Sequence, residues 1–102
     1  MRMLMDISLP LEKFNKAVAD GSVDKKMGAI LEETKPEAVY FTERDGRRGA
    51  ILVVDVPDAS RIPALAEPWF LQFDAKIHFS IAMSPEDLQK AGLEGLGKKW
   101  SQ

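Results

Sequence analysis

Cysteine is absent from the 102 residues, which removes a disulfide framework, a thiolate metal site and a cysteine nucleophile together. Histidine occurs once, as His78. A lone imidazole among scattered Asp and Glu forms no ligand spacing, so no metal is expected. An excess of basic residues is missing as well: 14 Lys and Arg stand against 16 Asp and Glu, for a net charge of −2. That balance supplies no field for nucleic acid or anionic lipid. Long apolar runs are also wanting, since the opening Met1-Arg2-Met3-Leu4-Met5 is cut by Asp6 and Pro10, short of a signal-peptide core or a membrane span. A cytoplasmic chain with no membrane and no nucleic-acid partner is expected. What is present is 45% apolar and 29% charged residues, enough for one packed domain. That domain is assigned to residues 1–92, with 93–102 as a C-terminal tail.

The apolar residues follow two periods. Met3, Met5 and Ile7 alternate with Leu4, Asp6 and Ser8, which predicts a strand over residues 1–9. Pro10 then suits the first turn of a helix whose Leu11, Phe14 and Val18 share a face until Asp20-Gly21 breaks it. Ser22 is placed to cap a second segment with Met27, Ile30 and Leu31 inside, ended by Lys35-Pro36. Residues 37–43 and 48–56 read as strands joined by Asp45-Gly46, a strong short-range hairpin signal. A short helix follows with Ile62, Leu65 and Ala66 on one side, and Pro68 is expected to close it. Trp69 and Phe70 are expected inside the packed body. The last strand, over residues 74–83, alternates Ile77, Phe79, Ile81 and Met83 with Lys76, His78, Ser80 and Ala82. Ser84-Pro85-Glu86-Asp87 opens one further helix that Gly92 ends, and the tail is expected either frayed or docked on a partner subunit.

The order β-α-β-β-α-β predicts an α+β, ferredoxin-like fold: four antiparallel strands with the helices on one face and an extra C-terminal helix. Ala50, Leu52 and Val54 point to one side of the third strand, Ile51 and Val53 to the other, so both faces are apolar where helices can cover one. A second copy is the expected cover.

Val53-Val54-Asp55-Val56-Pro57-Asp58 ending the third strand, the leucine-bearing short helix, Pro68-Trp69-Phe70, the closing strand that runs to Ser84-Pro85, and the first strand running into Leu9-Pro10 resemble the dimeric α+β barrel superfamily. Its members include muconolactone isomerases and antibiotic-biosynthesis-type monooxygenases. The resemblance implies a homodimer closed through the sheet faces, a small organic ligand in or beside the barrel, and no cofactor. These are motifs of fold, and no reaction comes with them.

His78 is the foremost candidate for chemistry because its side chain titrates nearest neutral pH. Asp6 lies on the polar-bearing face of the first strand, which neighbours the last strand in this fold. The two meet across the ladder if the register allows, as a carboxylate orienting an imidazole or as a plain structural pair. Tyr40 and Ser80, with Arg2 and Thr42, share that face as candidate ligand-binding residues or as rim contacts of a dimer. Arg44, Arg47 and Arg48 flank the hairpin turn and read as a solvated tip.

Two functions follow. One is a cofactor-independent isomerase or oxygenase acting on a small hydrophobic organic substrate, with His78 and Asp6 catalytic and Tyr40 or Ser80 donating a hydrogen bond. The other is a non-catalytic small-molecule-binding or structural homodimer. RNA recognition on the same strand order is disfavoured, because Arg48-Gly49 is followed by Ala50, Ile51, Leu52, Val53 and Val54 without a ring to stack a base.

Overall fold

The computed structural model describes residues 1–102. Strand β1 (Arg2–Leu9) leads through helices α1 (Leu11–Asp20) and α2 (Val23–Thr34) to β2 (Ala38–Arg44) and β3 (Arg47–Asp55). A 3-10 turn (Ala59–Arg61) then opens α3 (Ile62–Phe73), followed by β4 (Lys76–Ile81), α4 (Pro85–Lys90) and α5 (Leu93–Trp100). The four strands form one sheet in the order β2-β3-β1-β4, and every neighbouring pair is antiparallel. This is the ferredoxin-like α+β arrangement, with β1 and β3 central and β2 and β4 at the edges.

Local chemistry explains the breaks. Asp45 and Gly46 both have positive φ, at 54° and 77°, as a two-residue hairpin turn that matches strand twist requires. Gly21, at φ 82°, ends α1, where an L side chain would be strained, and the Ser22 N–H donates to the Ala17 carbonyl. Ser22 does not cap α2 through its hydroxyl. Its backbone N–H instead donates to the Asp20 carboxylate at 2.8 Å, so the capping signal was spent on the turn between the helices. Lys13 ties α1 to the end of α3 by donating to the Leu71 carbonyl at 2.9 Å.

The core lies between the sheet and α1 to α3. Met3, Met5, Ile7 and Leu9 of β1 and Ala50, Leu52 and Val54 of β3 pack against Phe14, Ala17, Ile30, Leu65, Trp69 and Phe73. Trp69 and Phe73 are both fully buried. The Phe73 ring centroid lies 5.0 Å from that of Phe14 and 6.1 Å from that of Trp69, within the range of favourable aromatic pairing. The expectation that Pro68 ends α3 is corrected here, because the helix continues through Pro68 to Phe73. Proline removes a helical hydrogen bond and costs about 3 kcal/mol. Burial of two large aromatics past it outweighs that, at roughly 3–5 kcal/mol lost for each such side chain truncated. Phe70 is corrected as well: it is 38% exposed, since one residue's advance along a helix turns it by about 100° away from Trp69.

The last segment departs from the body. Residues 93–102, expected as a tail, contain the helix α5, so two C-terminal helices stand where one was expected. The radius of gyration is 17.4 Å, against about 13 Å for a compact chain of this length. The excess lies along a long axis of 61 Å, and every residue from Pro85 to Gln102 is exposed.

Two outcomes test this packing. Trp69→Ala should destabilise by roughly 3–5 kcal/mol in denaturant unfolding, whereas Leu71→Ala on the outer face of the same helix should change stability by less than about 0.5 kcal/mol. At the start of α4, the Asp87 carboxylate accepts from the Ser84 N–H at 3.0 Å while its own N–H donates to Ser84 Oγ at 3.1 Å. The Ser84 N–H first, and then the Ser84 hydroxyl, hold the Asp87 carboxyl below its ordinary pKa. The contribution is therefore complete above the ordinary carboxylate value near 3.9 and is lost as pH falls through the lowered one. Amide exchange across Ser84–Leu88 should quicken in that acid range and stay level above it.

Candidate functional site

The sheet face away from the helices is uncovered within the chain. Register places Tyr40 of β2, Ile51 of β3, Asp6 of β1 and His78 of β4 in one row across it. A second row is Ala38, Val53, Leu4 and Ser80, and a third is Thr42, Gly49, Ser8 and Lys76. The face thus has an apolar strip of Leu4, Ile51 and Val53, with hydroxyls and charges around it.

Asp6 and His78 are direct partners in the β1–β4 ladder. They line a shallow depression of about 220 Å³ with Ser8, Arg44, Lys76 and Ile77. The Asp6 carboxylate accepts both of its side-chain bonds from Arg44 Nη1, at 3.0 and 3.1 Å. Arg44 comes from β2, two strands away from β1. Gly49 lies between them on β3, where a Cβ would sit 3.1 Å from the Ile7 carbonyl oxygen and 3.5 Å from Thr42 Cγ2. Its missing side chain keeps the face low along the line that Arg44 crosses. His78 donates no hydrogen bond to Asp6, whose oxygens accept from the guanidinium.

The remaining candidates are spread over the face. Ser80 follows His78 on the same side of β4, opposite Leu4. Tyr40, 67% exposed, lies on the other edge strand, three strand spacings or about 14 Å from β4 at roughly 4.8 Å per spacing. One chain does not bring Tyr40 to His78. Arg2 stands at the far end of β1 and donates to Glu37 Oε2 at 2.9 Å. That bond, reinforced by the carboxylate charge, raises its pKa above the ordinary arginine value, and it places Arg2 outside the depression.

Arg44, Ser8 and Lys76 belong to the depression although the sequence did not single them out for it. Ser8 and Lys76 were recoverable from alternation, because they share faces with Asp6 and His78. Arg44 required β2 to run one residue further than the hairpin pattern suggests. At the adjoining hairpin end, a second depression of about 390 Å³ is lined by Arg44, Arg47, Arg48 and Ser8. Arg48 is engaged elsewhere: it donates to Asn15 Oδ1 at 2.6 Å and lies 4.8 Å over the Phe14 ring. No group of three or more potential metal ligands occurs. No helix is long and apolar enough to cross a membrane.

No protein-family model matches the chain, and no curated protein matches it. Among solved structures, the de novo designed protein Ferredog-Diesel is similar, at 11% identity and a TM-score of 0.45 over 79% of this chain and 85% of that one. The topology above stands on strand register alone.

Both Asp6 and Arg44 remain substantially exposed, at 42% and 53% for their side chains, so the pair contributes little to folding. Arg44→Ala should alter stability by less than about 1 kcal/mol in denaturant unfolding, which makes it a variant whose effects on binding are read without a folding correction.

Proposed function

We propose that this protein is a homodimer of the dimeric α+β barrel kind, closed through the open sheet faces, that binds a small organic molecule between them. The observation that carries the reading is the apolar strip of Leu4, Ile51 and Val53 on a sheet face that no helix covers. The middle of the central strand β3 is apolar on both sides, Ile51 and Val53 opposite Ala50, Leu52 and Val54, the pattern of a strand covered on both faces. A second copy facing this one supplies that burial, and an isologous contact uses the same patch on each partner. The shallow depression at Asp6, Arg44 and His78 becomes an enclosed space once a second sheet roofs it. Tyr40, remote from His78 within one chain, is then available to the chamber from either copy.

In that chamber the strip supplies apolar contact, while His78, Ser80, Lys76 and the Asp6–Arg44 pair supply the few polar groups that orient a ligand. A second reading, a cofactor-independent isomerase or oxygenase, is favoured by one feature. His78 is an imidazole beside a carboxylate, with its own ring nitrogens left free by the Asp6–Arg44 bonds, as an acid or base facing a substrate must be.

Sedimentation at micromolar concentration should give a dimer, as expected of a specific interface burying about 1,200–2,000 Å². Ile51→Asp should convert it to a folded monomer with unchanged far-ultraviolet circular dichroism. Wild-type protein that sediments as a monomer would overturn the reading. Native mass spectrometry on protein from its own host should show a retained small molecule that His78→Ala releases from an intact dimer. Turnover of that molecule by the wild type would favour the enzyme, and its unchanged recovery would favour the binding protein.

A further inference from the structure

Charge on the open sheet face is uneven from end to end. At one end Arg2 and Asp55 are ladder partners, and the charges there are balanced: Arg2 pairs with Glu37 at 2.9 Å and the Met1 ammonium with Asp55 at 3.3 Å. At the other end the depression of about 220 Å³ holds two cations, Arg44 and Lys76, against one carboxylate, Asp6. With His78 neutral, one positive charge is left over. Lys76 enters no ion pair. Beyond the depression Arg47 lies directly opposite Arg44 on the β2–β3 ladder, a like-charge placement that is unfavourable by itself, with Asp45 of the turn the acid beside it.

Unused donors point the same way. Arg44 meets both Asp6 oxygens through Nη1, and its Nε and Nη2 make no bond. Asp6 thereby fixes the guanidinium over the face and leaves open the edge whose two parallel N–H groups fit a carboxylate. The apolar strip begins one row away. Same-face neighbours along a strand are roughly 7 Å apart, so an anionic group at Arg44 and Lys76 carries its attached atoms over Ile51 and then over Leu4 and Val53. In water an unpaired lysine is simply solvated. Under a second sheet it loses that water, and a charge without a partner is then strongly unfavourable. The second copy presents the same face, whose Asp6, Glu37 and Asp55 are each already paired, so it brings no free carboxylate from that surface.

We infer that the ligand of the chamber is an amphiphilic carboxylate, its acid group held by Arg44 and Lys76 and its short alkyl or small ring body lying on Leu4, Ile51 and Val53. A single negative charge matches the single positive charge left over in the depression, and the guanidinium edge matches the two oxygens of a carboxylate. The inference rests on the sheet-face chamber proposed above and adds the chemical class of its occupant.

Octanoate and octanamide, alike in length and different in charge, are titrated into the wild-type protein by calorimetry. Octanoate should bind about ten-fold tighter or more, as a charge-assisted hydrogen bond contributes. Lys76→Met and Arg44→Gln should each remove most of that preference while octanamide binding and the sedimenting dimer stay unchanged, and Lys16→Met on α1 should leave the preference intact. Equal affinity for the two probes, or a preference that survives both variants, overturns the carboxylate site and leaves the chamber standing. Competition by inorganic phosphate at the octanoate concentration overturns the amphiphile in favour of a bare anion site. Binding of neither probe to a sedimenting dimer overturns this inference together with ligand binding in the chamber, and a monomer overturns the dimer on which both rest.

Discussion

The packing of Trp69 and Phe73 against β1 and β3 is the contact on which the rest of the molecule depends. It seats α3 on the sheet through its most apolar stripe, carries the helix past Pro68, and brings Phe14 of α1 into the same aromatic cluster. Because α1 to α3 all lie on that one side, the sheet is left with a finished face and an unfinished one. The buried set reflects this: 17 of 102 residues are buried, and they belong almost wholly to the helix side of the sheet and the helices that cover it. A chain of this size has little apolar surface to spare, so Leu4, Ile51 and Val53 left at a surface are strong pointers to further association.

The candidate site is a consequence of the same asymmetry. Polar and titratable residues gather on the open face because the other face is filled with hydrocarbon. The β1–β4 ladder sets Asp6 opposite His78, and the β2–β3 hairpin delivers Arg44 to Asp6 across the low ground of Gly49. An exposed depression in water does little chemistry by itself, since solvent competes for every hydrogen bond it offers. Covered by a second sheet, the same groups would act in a lower dielectric, where their placement matters more. The binding reading, the catalytic reading and the dimer therefore stand together on one surface.

The sequence by itself determined the strands, the hairpin and the order of elements, because period-2 alternation, Asp45-Gly46 and the break at Gly21 act over a few residues. It also determined which side of each strand a residue occupies, and so the sharing of one face by Arg2, Asp6, Tyr40, His78 and Ser80. Only the tertiary structure decided what those residues meet. The direct opposition of Asp6 and His78 depends on register, which is set by the packing of the whole sheet. The capture of Asp6 by Arg44 joins residues 38 positions apart, and no local pattern encodes such a pair. The continuation of α3 through Pro68 was decided there as well, because proline's local penalty is visible in the chain while the burial of Trp69 and Phe73 that overrides it exists only once the sheet is in place. The helical arm divides in the same way: local capping at Ser84 and Asp87 starts it, but its projection from the body is a property of the folded chain that a linear sequence does not display.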